Sequence, residues 1–165
     1  TNKNLSKTLD KEAIDRVCEI LKIVSEEGYK IIIVHGAGSY GHILSKEMDI
    51  SNGVNYEIYD QQISAIEQIR KDMRELNNEI IGSLKKVNLN SVGYPPSLWA
   101  KNLGKNFSGD IEVFKKENNQ IIPICFGDVV DRNDENHSQA GKLPGGSIQA
   151  SAVAMLVRVH RVSKK

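Results

Sequence analysis

Between residues 10 and 27, Ala13, Ile14, Val17, Cys18, Leu21 and Val24 recur at three- and four-residue spacing, with charged side chains between them and Gly28 just beyond. That rhythm predicts an amphipathic helix ending at the glycine. Lys30-Ile31-Ile32-Ile33-Val34 follows, β-branched and apolar, the composition of a central parallel strand covered on both faces. A glycine-rich stretch at 36–41 then leads into His42 to Met48, predicted as a short helix that stops before Asn52-Gly53. Over residues 57–85, Ile63, Ile66, Ile69, Met73, Leu76, Ile80 and Leu84 keep helical steps, which predicts the longest helix of the chain.

Val87 to Val92 alternates imperfectly and reads as a strand; it ends at Gly93-Tyr94-Pro95-Pro96, a loop that the prolines should keep from being helical. Ile111 to Lys116 reads as a short helix, and Ile121 to Phe126 as a strand running into Gly127-Asp128-Val129-Val130. A polar loop, 131–144, comes next. The last element, Ser147 to about Val159, is rich in Ala and Val and is predicted to be a buried helix. Strands alternating with helices define an α/β fold, expected here as a three-layer αβα sandwich on a mainly parallel central sheet, with residues 1–165 as a single domain. Ligands in such folds bind beyond the carboxyl ends of the strands. Three loops meet that description: 35–42, 93–97 and 127–131.

Composition narrows the classes. At 165 residues, with 39% hydrophobic and 26% charged positions, the chain is long enough to bury a core and is not low-complexity. Lysine and arginine number 22 against 21 acidic residues, a formal balance of +1, and no long run of one sign supports binding to nucleic acid or a membrane surface. Cys18 and Cys125 lack C-x-x-C spacing and read as small apolar core residues, not as a disulfide scaffold or zinc module. No metal-ligand cluster stands out. No apolar run approaches the roughly 20 residues that span a bilayer, and Thr1-Asn2-Lys3-Asn4 is no signal peptide. The expectation is a cytoplasmic protein, its oligomeric state left open, a homodimer included.

Chemistry concentrates in His35-Gly36-Ala37-Gly38-Ser39-Tyr40-Gly41-His42. Its G-x-G-x-x-G spacing lets a backbone approach an anion closely, and N–H groups at a helix start hold phosphate. A dinucleotide site also needs an acidic residue at the end of a second strand; Glu57 and Asp60 stand at the right distance but follow no strand. The G-x-x-x-x-G-K-[ST] loop is absent. His42, at the helical end, is placed to donate to a phosphate oxygen, against the plainer reading that both histidines are structural. Asp128 reads equally as a cap or a solvated turn residue, Tyr94 and Trp99 read as core packing before they read as the border of a ligand, and His137 and His160 receive no role.

The strand I-I-I-V followed by H-G-A-G-S-Y-G-H resembles the amino acid kinase superfamily, and within it the isopentenyl phosphate kinases, with fosfomycin kinase the nearest competitor for the complete pattern. Gly127-Asp128-Val129-Val130-Asp131, Pro95-Pro96-Ser97 and Thr1-Asn2-Lys3 extend the resemblance over nearly the whole chain. It implies transfer of a phosphoryl group from ATP, with Mg2+, to isopentenyl phosphate, giving the diphosphate used in isoprenoid synthesis. The alternatives are another small phosphorylated acceptor or a non-catalytic phosphate-binding module of the same fold. Residue by residue, it implies that His42 binds the acceptor phosphate, with Ala37 and Gly127 at the acceptor. Gly36 and Gly38 fall on the nucleotide side, and Lys3 stabilises the transferring group. Lys3 without the resemblance is a solvated terminal lysine. The family's K-x-G-G-S opening is missing, and Pro144-Gly145-Gly146-Ser147 stands where the family has S-G-D-D. The chain is therefore expected to correspond to the acceptor-substrate part of the fold.

Overall fold

The computed structural model describes residues 7–102, 104–115, 120–131 and 156–161. Asp10 opens the first helix, its carboxylate accepting the Ala13 N–H at 2.9 Å, as a cap must where intrahelical partners are lacking. Helix α1 (Lys11–Glu26) turns at Gly28, whose φ of +84° suits a residue without a side chain, into strand β1 (Tyr29–His35). Helix α2 (Gly38–Glu47) begins four residues before the spacing predicted. The glycines that suggested an open loop are its first turn, because packing overrides their weak propensity: a Cβ on Gly41 would stand 3.1 Å from Ala37 Cβ and 3.4 Å from Met73 Sδ. Met73 belongs to α3 (Tyr59–Lys86), the longest helix as expected. Among the described residues, no helix is long and apolar enough to cross a membrane.

Three parallel strands form the body of the sheet. Strand β5 (Ile121–Phe126) lies between β1 and β2 (Asn90–Tyr94), with Ile33 beside Ile124 and Gly93 beside Ile124 on the other side. Ile31, Ile33, Ile122 and Ile124 share one face and are buried against Cys18 and Leu21 of α1 and Ile80 and Leu84 of α3. Helix α2 lies along α3 past the strand ends, where Ala37, Ile69, Met73, Phe126 and Val129 form a second core.

Four expectations need correction. Leu156–Arg161 is not helix but strand β6, antiparallel to β1 at the sheet's end. Val157 and Val159 alternate with Arg158 and His160, a period of two that the preceding Ala-rich run obscured; residues 147–155 lie outside those described. Strand β1 is covered on one face only among the described residues, since Lys30 and Ile32 on the other are exposed, Ile32 by 37%. Val87–Leu89 is not strand: Asn88 takes φ +62° and Leu89 N–H returns to the Leu84 carbonyl at 3.0 Å, closing α3. Finally, Pro96–Trp99 is a one-turn helix, α4, since a proline in the first turn removes a donor that has no partner there.

Beyond α4 the chain makes a small antiparallel pair, β3 (Ala100–Lys101) with β4 (Ser108–Gly109). Trp99 meets Phe114 and Phe107 edge-on at 5.1 and 6.3 Å, Tyr94 meets Phe114 at 5.3 Å, and the indole N–H donates to the Tyr94 carbonyl. Both rings therefore pack among aromatics, geometry that favours offset and edge contacts.

Candidate functional site

Parallel pairing of β1 with β5 brings two loops together that are far apart in sequence. His35 stands beside Phe126, and Gly127 N–H donates to the His35 carbonyl at 3.0 Å, carrying the pairing one step past the strands. Between the loops lies a small cleft. Ala37, His42, Gly127 and Asp128 line it with Ser45, over a floor of Ile69, Met73 and Val129. Ala37, His42 and Gly127 thus share one cleft. Gly38 opens α2 with φ +52°, a left-handed conformation that costs any L side chain about 1–2 kcal/mol. The Gly36 carbonyl accepts from His35 Nδ1 at 3.1 Å. Lys3 lies outside the described residues.

The third loop, 93–97, joins through a single carboxylate. Asp128 is buried; its Oδ2 accepts the Ser97 N–H at 2.8 Å and its Oδ1 the Val129 N–H at 2.9 Å. It is therefore not a solvated turn residue but a tie between α4 and the cleft wall. Gly127 N–H is likewise committed, so what Gly127 offers a ligand is the absence of a side chain.

Helix α3 supplies residues that the spacing did not single out. Arg70 donates to the Val129 carbonyl from Nε at 3.2 Å and from Nη2 at 2.9 Å, and Nη2 reaches Asp131 Oδ1 at 3.0 Å. Asp72 and Asn77 are buried. Asp72 receives the Lys7 ammonium at 2.8 Å, and Glu75 receives it at 2.7 Å; these two carboxylates push the Lys7 pKa up from its ordinary value. Next to Lys7, Thr8 N–H donates to Ser39 Oγ at 3.0 Å, fastening the chain to the first turn of α2. A signal for Asp72 and Asn77 exists in the sequence: they sit one residue beside Met73 and Leu76, on the face that carries the apolar stripe. Arg70 gives none, because a helical arginine reads as solvated.

His35 is buried and stacks on Phe126 with ring centres 5.3 Å apart and planes 17° from parallel. Burial holds its pKa below the usual imidazole value. His42 is exposed at the cleft. An imidazole beside the amino end of a ten-residue helix, next to a glycine that no side chain screens, suits an anion.

A strand, a glycine turn opening a helix, and a Gly-Asp loop at the neighbouring strand's end define an α/β protein whose candidate site lies beyond the carboxyl ends of its parallel strands, where such folds place ligands. The chain belongs to the amino acid kinase family, whose model matches residues 6–161. It is 29% identical over 103 residues to the isopentenyl phosphate kinase of Methanocaldococcus jannaschii, covering 61% of this chain and 38% of that one. With the isopentenyl phosphate kinase of Methanothermobacter thermautotrophicus it shares 28% over 131 residues, 75% and 49% of the two chains. The chain thus spans less than half the length of these curated relatives. Among solved structures, an isopentenyl phosphate kinase superposes with a TM-score of 0.68 at 24% identity, covering 76% of this chain and 51% of that one. The T. acidophilum isopentenyl phosphate kinase product complex gives 0.67 at 20%, covering 81% and 53%. Both are likenesses of fold.

Proposed function

We propose that the protein serves the ATP-dependent phosphorylation of isopentenyl phosphate to isopentenyl diphosphate, and that these residues form the acceptor side of the site. One observation carries the reading: Ala37, His42 and Gly127 converge on a single cleft whose floor, Ile69, Met73 and Val129, is apolar. In this reading the phosphate head meets His42 and the loop backbone, and a short hydrocarbon tail runs toward Ile69, Met73 and Val129.

In this reading the His42 ring N–H donates to the acceptor phosphate, the Ala37 N–H adds a backbone donor, and Gly127 leaves room for an oxygen. Gly36 and Gly38 face the nucleotide phosphates, Gly38 through a backbone turn closed to other residues. Lys3 neutralises charge on the transferring group. A phosphate oxygen is a weak nucleophile and needs no covalent intermediate, so alignment and charge stabilisation carry the catalysis. ATP supplies the phosphoryl group, and Mg2+ offsets its charge. Among the described residues no group of three or more His, Cys, Asp or Glu side chains is disposed to hold a metal ion.

The test is to incubate the protein with Mg-ATP and, separately, isopentenyl phosphate, dimethylallyl phosphate, fosfomycin and UMP, following products by phosphorus NMR. Isopentenyl diphosphate is the expected product. Turnover of fosfomycin or UMP alone would reassign the acceptor, and binding of isopentenyl phosphate without ATP turnover would make the chain a phosphate-binding module.

A further inference from the structure

His35 stands directly before the glycine turn, yet its ring faces the core: it is 6% exposed and lies flat on Phe126. Its Nδ1 is 3.1 Å from the Gly36 carbonyl oxygen. A carbonyl only accepts, so Nδ1 carries the proton and Nε2 is left as a lone-pair acceptor. The polar neighbour of the ring is the Asn77 side chain, whose Oδ1, like His35 Nε2, is buried with no hydrogen bond closed among the described residues. Asn77 is itself pressed against Gly93 of β2, where a Cβ would come within 2.9 Å of Asn77 Cγ.

The consequence lies in the peptide unit. Gly36 C=O and Ala37 N–H belong to one planar trans amide and point in opposite directions, so whatever fixes the carbonyl aims the N–H. We infer that His35 is a positioning residue for the anion site: by donating from Nδ1 to the Gly36 carbonyl, it aims the Ala37 N–H into the cleft. The ring is held for this task by Phe126 on its face and Asn77 at its edge. What the N–H serves rests on the phosphate-acceptor reading above; its direction is inferred from the His35–Gly36 contact and from Ala37 lining the cleft. Burial that keeps the ring neutral supports the assignment, since a charged imidazole here would lack a counter-charge.

The test combines the imidazole nitrogen spectrum with two substitutions. In the wild-type chain His35 is expected neutral at pH 7 with its proton on Nδ1. His35→Asn keeps an N–H near the place of Nδ1 and should leave the Ala37 amide resonance in position and isopentenyl phosphate affinity within about twofold. His35→Leu removes the donor; it should move the Ala37 resonance and weaken that affinity about tenfold, the effect of one lost hydrogen bond. If His35→Leu does not fold, His35→Gln replaces it, because its amide reaches the place of Nε2 and not of Nδ1. A proton found on Nε2, or an Ala37 resonance unmoved when the donor is lost, overturns the inference. If the wild-type chain binds no isopentenyl phosphate, the functional reading falls, while the tautomer and the Ala37 resonance still decide the positioning.

Discussion

The Arg70 guanidinium and the Val129 carbonyl, 2.9 Å apart, join the longest helix to the loop that walls the cleft. The same Nη2 reaches Asp131, so one side chain grips the loop at two points. Arg70→Ala should cost about 1–2 kcal/mol in urea unfolding, below the top of the range for charged hydrogen bonds because the pair is partly solvated. Arg70→Lys should recover little, since an ammonium does not span a carbonyl and a carboxylate as the planar fork does. A lysine variant as stable as wild type would show that only the charge matters.

Three glycines should fail for three different reasons. Gly38→Ala places a side chain at φ +52° and should cost about 1–2 kcal/mol whatever the free space. Gly41→Ala brings a methyl to 3.1 Å from Ala37 Cβ, an overpacking of about 1–3 kcal/mol that Ala37→Gly should partly relieve. Gly93→Ala meets the Asn77 amide; pairing it with Asn77→Ala should give a coupling of opposite sign to the single losses. Thermal unfolding of the singles and doubles measures all three.

His42 is exposed and makes no contribution to the core. His42→Ala should therefore leave the unfolding midpoint nearly unchanged while lowering acceptor kcat/KM roughly ten- to more than a hundredfold, the loss of about 1.5–3 kcal/mol for one charge-assisted hydrogen bond. His42→Gln, which keeps a donor, should be milder. A variant that unfolds yet retains full activity in its folded fraction would make His42 structural.

Burial lowers the His35 pKa in the folded chain from 6.5, so between that value and the folded one the unfolded chain binds more protons. Stability from this group is complete above about pH 6.5 and is lost as pH falls toward the folded pKa. Urea titrations at descending pH should show that slope, and His35→Asn should remove it.

Cys18 and Cys125 are both free, with thiols that burial pushes up to about 11. At pH 7 about one in ten thousand of each is thiolate. Alkylation with iodoacetamide should be slow in the folded protein and fast in urea; rapid labelling of Cys125 without denaturant would contradict its packing on β5.

The helices α1 and α3 and the strands β1 and β5 were legible because each buries one face or run in the core, which periodicity records. The glycine turn and His42 stood out in the sequence, and the structure places Ala37, Gly41 and His42 along one cleft. What was not legible depends on distant chain: the apolar stripe marks the face of Asp72 and Asn77, but not the ion pair of Asp72 with Lys7 or the space that Gly93 leaves for Asn77. The first turn of α2 packs Gly41 against Ala37 and Met73 of a distant helix, and β6 pairs along the edge of β1. Asp128 was read as either of two ordinary turn residues, since nothing local says that Ser97 will present an N–H to it.

Strand β5 slots between β1 and β2, both of which precede it in the chain. During synthesis or refolding, residues 11–86 can collapse through nearby contacts, but the two walls of the cleft meet only when a strand about 90 positions after β1 inserts between two waiting edges. Loop closure over that distance is slow compared with helix formation. The cleft should accordingly be the last region to gain protection in pulse-labelled hydrogen exchange, with amides of 122–129 lagging those of α3, and slow insertion would leave the edges of β1 and β2 exposed to other chains in the meantime.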